Sequence, residues 1–328
     1  MKKMRKSMLY IVSMLLVLAL AACSTSNQGN AGGAQDESNK SEPTTRVVKD
    51  AYGDVTIPTH PKNMLVLNSN YAENLIEIGV IPNMVTLVKE IEPEYRPKLF
   101  DENKVKMIPV QQYEENIEII LEAAPDLIIA DNGAIDAKRY EALSKVAPTV
   151  AVDAGGAIDD FVPVLGKLFN KEKEADVALQ KFRAKIQETK DKLHNAIGDE
   201  KILVLRVEQN QYRVLGTEKG SPGSDILYHQ LGLNIPTKLK DNQDWFTPIS
   251  LEVLPELDAD HIFVEKRQMQ NYSSEQSMKD LENYPLWKTM AAVKKGNVYP
   301  LKTADFVVGE GLIGTPLFLD YLVEKLVR

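Results

Sequence analysis

Residues 171–194, KEKEADVALQKFRAKIQETKDKLH, decide how the rest of the chain is read. Ala175, Val177, Ala178, Leu179, Phe182 and Ile186 recur at helical spacing among lysines and glutamates. The helical pattern, which opens near Ile158, reads as unbroken from Pro163 to Gly198. A helix of these 24 residues would span about 36 Å, as long as a whole lobe. It is therefore expected to connect two lobes rather than to serve as one more crossover.

Moving outward towards the N-terminus, short apolar strands alternate with helices. Residues 149–152, 126–130, 84–88 and 64–67 read as strands. Residues 137–145, 117–124 (ended by Pro125) and 71–78 (stopped by Gly79) read as helices. Right-handed crossovers place such strands in one mostly parallel sheet. Ahead of them residues 46–57 form a hairpin, with Gly53 and Asp54 as its turn.

Moving outward towards the C-terminus, the pattern resumes with strands at 201–207, 212–215, 261–264 and 297–301. Helices are expected at 224–231 (stopped at Gly232), 251–257 and 312–327. The fold class is thus α/β: two lobes, each with a central mostly parallel sheet flanked by helices, joined by one long connecting helix. The expected boundaries are 46–155 for the N-terminal lobe, 156–197 for the connector and 198–328 for the C-terminal lobe.

What precedes residue 46 is not globular in composition. Lys2, Lys3, Arg5 and Lys6 lead an apolar run over 8–20, closed by Ala21 and Ala22, the pattern of a signal peptide over residues 1–22. The run is shorter than the roughly 20 apolar residues a membrane span needs. Cys23 is the only cysteine, so it has no disulfide partner in the chain. Leu20-Ala21-Ala22-Cys23 resembles the lipobox of bacterial lipoproteins, which implies lipidation of Cys23 and anchoring outside the cytoplasm on the outer leaflet of a Gram-positive cell membrane. Residues 23–45, rich in Ser, Asn, Gln and Gly, then form a flexible tether.

Composition and motifs exclude several classes. Losing the four signal cations takes the formal charge from −8 to −12, which argues against nucleic acid as a partner. His60, His194, His229 and His261 fall on different elements, so direct metal coordination is not expected. The chain contains no nucleophile elbow, Walker loop or zinc-protease helix, and it reads as a binding protein rather than an enzyme. Gly220-Ser221-Pro222-Gly223-Ser224 lacks the lysine of a phosphate loop and reads as a turn with Ser224 as helix cap.

Several stretches carry a family resemblance: Val55-Thr56-Ile57-Pro58 with His60-Pro61-Lys62, Ala124-Pro125-Asp126-Leu127-Ile128-Ile129, Lys145-Val146-Ala147-Pro148-Thr149-Val150, and residues 286–299, LWKTMAAVKKGNVY. In order and spacing the chain from Arg46 to Arg328 resembles the periplasmic binding proteins of iron-siderophore and vitamin B12 ABC importers, in the subgroup whose lobes are joined by one helix. The resemblance implies a ferric siderophore as ligand, held between the lobes by a monomer without a cofactor. It implies an ABC permease with its ATPase as partner, and one acidic residue on each lobe's tip that engages it. Glu73 and Asp225 are the candidates for that pair.

Ligands of open α/β sheets bind beyond the carboxyl ends of the strands. Cations there would hold an anionic chelate, and arginine suits carboxylates best. Arg206, Arg213 and Arg267 are the first candidates, with Lys89 and Lys302 behind them. Tyr113, Trp245, Phe246 and Phe306 are placed to cover the ligand's organic rim, and Gln111, Gln112 and Asn132 to bond it from the N-terminal lobe. Trp245 and Phe246 sit in the polar stretch 240–248, where no strand or helix is evident, whereas Trp287 reads as core. The arginines favour a citrate-type carboxylate or mixed hydroxamate-carboxylate siderophore over catecholates. Haem, with Tyr113 as an axial ligand, and a corrinoid are the alternatives.

Overall fold

Two five-stranded sheets share one layout. Their orders are β5-β4-β3-β6-β7 and β10-β9-β8-β11-β12, so each strand of one has a counterpart in the other. The computed structural model describes residues 43–111, 117–267, 269 and 272–327. The expected signal, Cys23 and most of the tether lie outside the described residues, as do Gln112 and Tyr113.

In the N-terminal lobe β3 (Met64–Val66), β4 (Met84–Leu87), β5 (Lys106–Pro109), β6 (Leu127–Asp131) and β7 (Thr149–Val152) are all parallel. Helix α1 (Ser69–Glu77) crosses from β3 to β4, and its first turn is capped by Asn68, whose Oδ1 accepts from the backbone of Asn70 and Tyr71. It ends at Gly79, whose φ of +78° suits a residue without Cβ. Helix α2 (Tyr95–Glu102) and strand β5 have no counterpart in the sequence reading, because Arg96, Lys98 and Lys106 obscure their periodicity. Helices α3 (Ile117–Glu122) and α4 (Ala137–Ser144) complete the lobe. The hairpin of β1 (Thr45–Asp50) and β2 (Gly53–Pro58) turns at Ala51 and Tyr52, two residues earlier than expected.

The run expected to be unbroken from Pro163 to Gly198 is interrupted once, so the long connecting helix is preceded by a shorter one. Helix α5 (Ile158–Leu168) accommodates Pro163 in its second turn. Helix α6 (Glu172–Ile197) follows after a break at which Asn170 adopts φ +55°. The break lets α5 fold back against α6, where Gly166 meets Ala175 with no room for a Cβ. Composition hid it, since Phe169, Asn170 and Lys171 carry no proline or glycine.

In the C-terminal lobe β8 (Ile202–Glu208), β11 (His261–Lys266) and β12 (Val298–Lys302) are parallel, whereas β9 (Gln211–Leu215) and β10 (Phe246–Ile249) make the sheet mixed. A tight turn at Gln209 and Asn210 joins β8 to β9, with Asn210 at φ +59°. Residues 225–230 form a π-helical turn, and Ser224 does not cap it but donates its hydroxyl to Gly216 O. The helix expected over 251–257 is only a 3₁₀ turn at Leu254–Glu256, limited by Pro255. Helices α7 (Glu275–Asn283), α8 (Ala291–Lys294) and α9 (Gly314–Leu326) close the lobe.

The strands' alternation divides the core into three. Ile202, Val204, Leu215, Phe246, Phe263, Tyr299 and Leu301 on the inner face of the C-terminal sheet join α5, α6, α9 and the N-terminal lobe's Tyr71, Leu75 and Ile129 in one continuous core. The outer faces have separate cores, one around Leu203, Leu205, Ile262 and Trp287, the other around Leu65, Ile128 and Leu143. Among the described residues no helix is long and apolar enough to cross a membrane.

Candidate ligand site

Alternation along β8 puts Arg206 on the inner face, two residues past Val204, and register puts two charged neighbours beside it. Arg213 on β9 and Glu265 on β11 are its Cα partners, so the three form a row across the sheet. Arg206 donates to both Glu265 oxygens, from Nε at 2.6 Å and Nη2 at 3.1 Å. Thr303 donates its hydroxyl to Glu265 Oε1 at 2.8 Å, and Arg267 Nη1 lies 3.9 Å from the same oxygen. Glu265 is fully buried and Arg206 is 4% exposed. Burial pulls the Arg206 guanidinium below its ordinary pKa while Glu265 opposes that shift.

The aromatic pair covers this row. The Arg206 guanidinium carbon lies 3.5 Å from the Phe246 ring centre and 5.2 Å from that of Trp245. The two rings meet edge to face at 5.3 Å, and Trp245 Nε1 donates to Pro222 O at 2.9 Å. Phe246 opens strand β10, so residues 240–248 are not strand-free as expected. Its burial is that of a core residue holding Arg206 in place.

The remaining candidates separate clearly. Arg213, partly exposed, pairs with Glu208 at 3.2 Å. Lys89 is exposed at the end of β4, Gln111 is exposed beyond β5, and Asn132 follows β6 with its amide donating to Asp153 at 3.3 Å. Lys302 reaches across to the other lobe and pairs with Glu94 at 2.7 Å. Phe306 is not free for a ligand: it is buried against Phe318 and against Gly223, where a Cβ would strike its ring. The arginines that favoured an anionic chelate are thus all engaged by carboxylates.

Glu73 and Asp225 cannot form the expected docking pair, since both are buried. Glu73 is wholly enclosed. Its Oε2 accepts from Tyr95 Oη at 2.5 Å and Arg96 Nε at 3.0 Å, and its Oε1 accepts from the backbone of Ile313 at 2.9 Å and Gly314 at 3.0 Å. It therefore caps α9, which belongs to the other lobe. Arg96 Nη2 adds a bond to Val308 O at 2.9 Å, and Asn74 Oδ1 accepts from Leu312 N at 2.9 Å. Gly311 and Gly314 permit this approach, because a Cβ at either would meet Glu73 or Tyr95. Asp225 accepts from Gly220 N at 3.2 Å and from Gln230 Nε2 at 2.8 Å.

Three residues with functional weight escaped the sequence reading. Glu265 hides in an apolar strand, HIFVEK, where only the alternation marks it as inward. Glu310 is buried near Asp225 and its pKa is pushed up to about 8, by desolvation first and by that neighbouring charge second. Among the described residues Arg96 is the largest fully buried side chain, in a helix whose charges concealed it. Among the described residues no group of three or more His, Cys, Asp or Glu side chains is poised for a metal ion.

Comparison with known proteins agrees with this architecture. A family model described as Periplasmic binding protein matches residues 65–304. The Iron(3+)-hydroxamate-binding protein FhuD of Bacillus subtilis is 31% identical, with 96% of each chain covered. Staphylococcus aureus SirA complexed with staphyloferrin B superposes with a TM-score of 0.72 at 26% identity, covering 86% of this chain and 98% of that one. The triscatecholate siderophore binding protein FeuA of Bacillus subtilis, complexed with ferri-bacillibactin, gives a TM-score of 0.69 at 26% identity with the same coverage. With the matched region spanning both sheets and the helices between them, the chain belongs to the periplasmic binding protein family.

Proposed function

We propose that the chain captures a ferric siderophore beyond the strand ends of its two sheets and presents it to the permease of an ABC importer. The lobes are taken as residues 46–155 and 198–328, and Cys23 as the lipidated residue that holds the protein outside the cytoplasm. The observation that carries the reading is the row of Arg213, Arg206 and Glu265 towards a sheet's carboxyl end, a polar group backed by Trp245 and Phe246. Relatives whose names specify hydroxamate, staphyloferrin B and ferri-bacillibactin support the ligand class. Because Trp245 touches the row, titrating the secreted form with ferric siderophores, haem and cobalamin should give saturable fluorescence quenching by a ferric chelate. Quenching by haem or cobalamin alone would transfer the site to those ligands.

For the docking role, the pseudo-symmetry of the two sheets supports a pair of exposed carboxylates. Glu118 and Glu252 each stand eight positions before the aspartates Asp126 and Asp260 that precede β6 and β11, which are counterparts in the two sheets. Both are exposed, and each follows the carboxyl-end side of its sheet, on α3 after β5 and in the turn after β10. Replacing both by Ala is expected to leave chelate binding unchanged and to reduce iron uptake by cells. Wild-type uptake in that variant would exclude them.

A further inference from the structure

The charge of the ligand is written in the partners of the C-terminal arginines. Glu265 takes Arg206 through two bonds and lies 3.9 Å from Arg267, and Glu208 takes Arg213 at 3.2 Å. Three guanidiniums therefore meet two carboxylates, leaving a single net positive charge on this wall. Lys266 and Lys302 are engaged by Glu275 and Glu94. The N-terminal strand ends add amides, at Gln111 and Asn132, and the exposed Lys89.

Ferric chelates differ sharply in charge. Three hydroxamates each contribute one negative charge and leave the complex neutral, whereas three catecholates leave a trianion. Withdrawing a trianion from water is very costly unless cations match it, and a wall with one net positive charge does not. A like charge buried beside the ligand works further against an anion.

We propose that Glu265 determines specificity at this site: by neutralising Arg206 it restricts the ligand to ferric chelates of low net charge, of the trihydroxamate class. This rests on the ferric siderophore reading above and narrows it. Arg206 then acts as a rigid hydrogen-bond donor and aromatic partner, not as a free cation. The anionic carboxylate chelates favoured by the arginines' presence alone are disfavoured by what holds them.

The test is a charge series on the secreted form. Ferrichrome as the neutral trihydroxamate, ferric citrate, and ferric enterobactin as the trianionic tris-catecholate are titrated against wild type and Glu265→Gln. Wild type should bind ferrichrome at least about 10-fold more tightly than either anion, and Glu265→Gln should shift that ratio at least about 10-fold towards the anions. A wild-type preference for an anionic chelate overturns the proposal while leaving the siderophore reading intact. So does an unchanged ratio in a folded Glu265→Gln protein. If that variant does not fold, the wild-type series alone decides. Failure of all three chelates to bind removes the siderophore reading itself and the proposal with it.

Discussion

The two sheets share a strand order but differ in how their second strand is reached, and that difference sets the chemistry of each lobe. From β3 the chain crosses through α1 and returns parallel as β4, so Tyr71, Ala72 and Leu75 of α1 cover the inner face and the lobe offers the neutral groups Gln111 and Asn132 at its strand ends. From β8 it turns at once through Gln209 and Asn210 into the antiparallel β9. No helix is laid down between them, and the carboxyl end of the inner face is left for side chains rather than a crossover to fill. Arg206, Arg213 and Glu265 occupy that space, with Trp245 and Phe246, at the start of β10, packed against Arg206. A topological choice between hairpin and crossover thus separates a wall of amides with one exposed lysine from a wall of arginines paired with carboxylates.

The largest effect that would sharpen this contrast is on stability. From sequence alone, removing Arg206 is expected to weaken binding and spare the fold, but the structure alters that expectation. Arg206→Ala leaves Glu265 buried without its partner, and such losses cost about 3–5 kcal/mol. Chemical denaturation of the ligand-free protein should show it. An unchanged midpoint would mean that Glu265 finds another cation, with Arg267 the nearest at 3.9 Å.

A second, smaller effect tests the other buried carboxylate of the C-terminal lobe. Glu310 titrates near 8 in the folded protein and in the ordinary carboxylate range, near 4.5, when unfolded. The folded state therefore holds the proton more tightly, and the associated stability is fully present below pH 4.5 and lost as pH rises through about 8. Within that window each pH unit costs about 1.4 kcal/mol. Glu310→Gln should flatten the pH dependence, and denaturation curves at pH 6 and 7 would reveal whether it does. The smallest effect belongs to the N-terminal wall: Asn132→Ala removes one 3.3 Å bond to Asp153 near the surface, and its cost should stay below about 1 kcal/mol. A loss as large as that at Arg206 would break the contrast between the lobes.

Apolar runs bounded by Gly79, Pro125 and Gly232 made most of the strands and helices legible, because buried parallel strands need little else to be recognised. Strand β10 and helix α2 were not legible, as TPI and KLFDE carry too few apolar positions to show a period. Arg206 could be placed at a strand end from its own strand, but its partner Glu265 lies 59 residues away, and only the register of β8 with β11 brings them together. The same limit misplaced Glu73. Its position on an amphipathic helix suggests a solvated face, whereas the groups that bury it come from residues 308–314, more than 200 positions later.

The cap that Glu73 places on α9 has a consequence for signalling. Halves stitched together by a buried carboxylate, a buried guanidinium and one shared apolar core have no large swing to offer an importer. A loaded protein would then be told from an empty one by the bound ligand itself. Recognition by the permease would be a reading of occupancy, not of shape change.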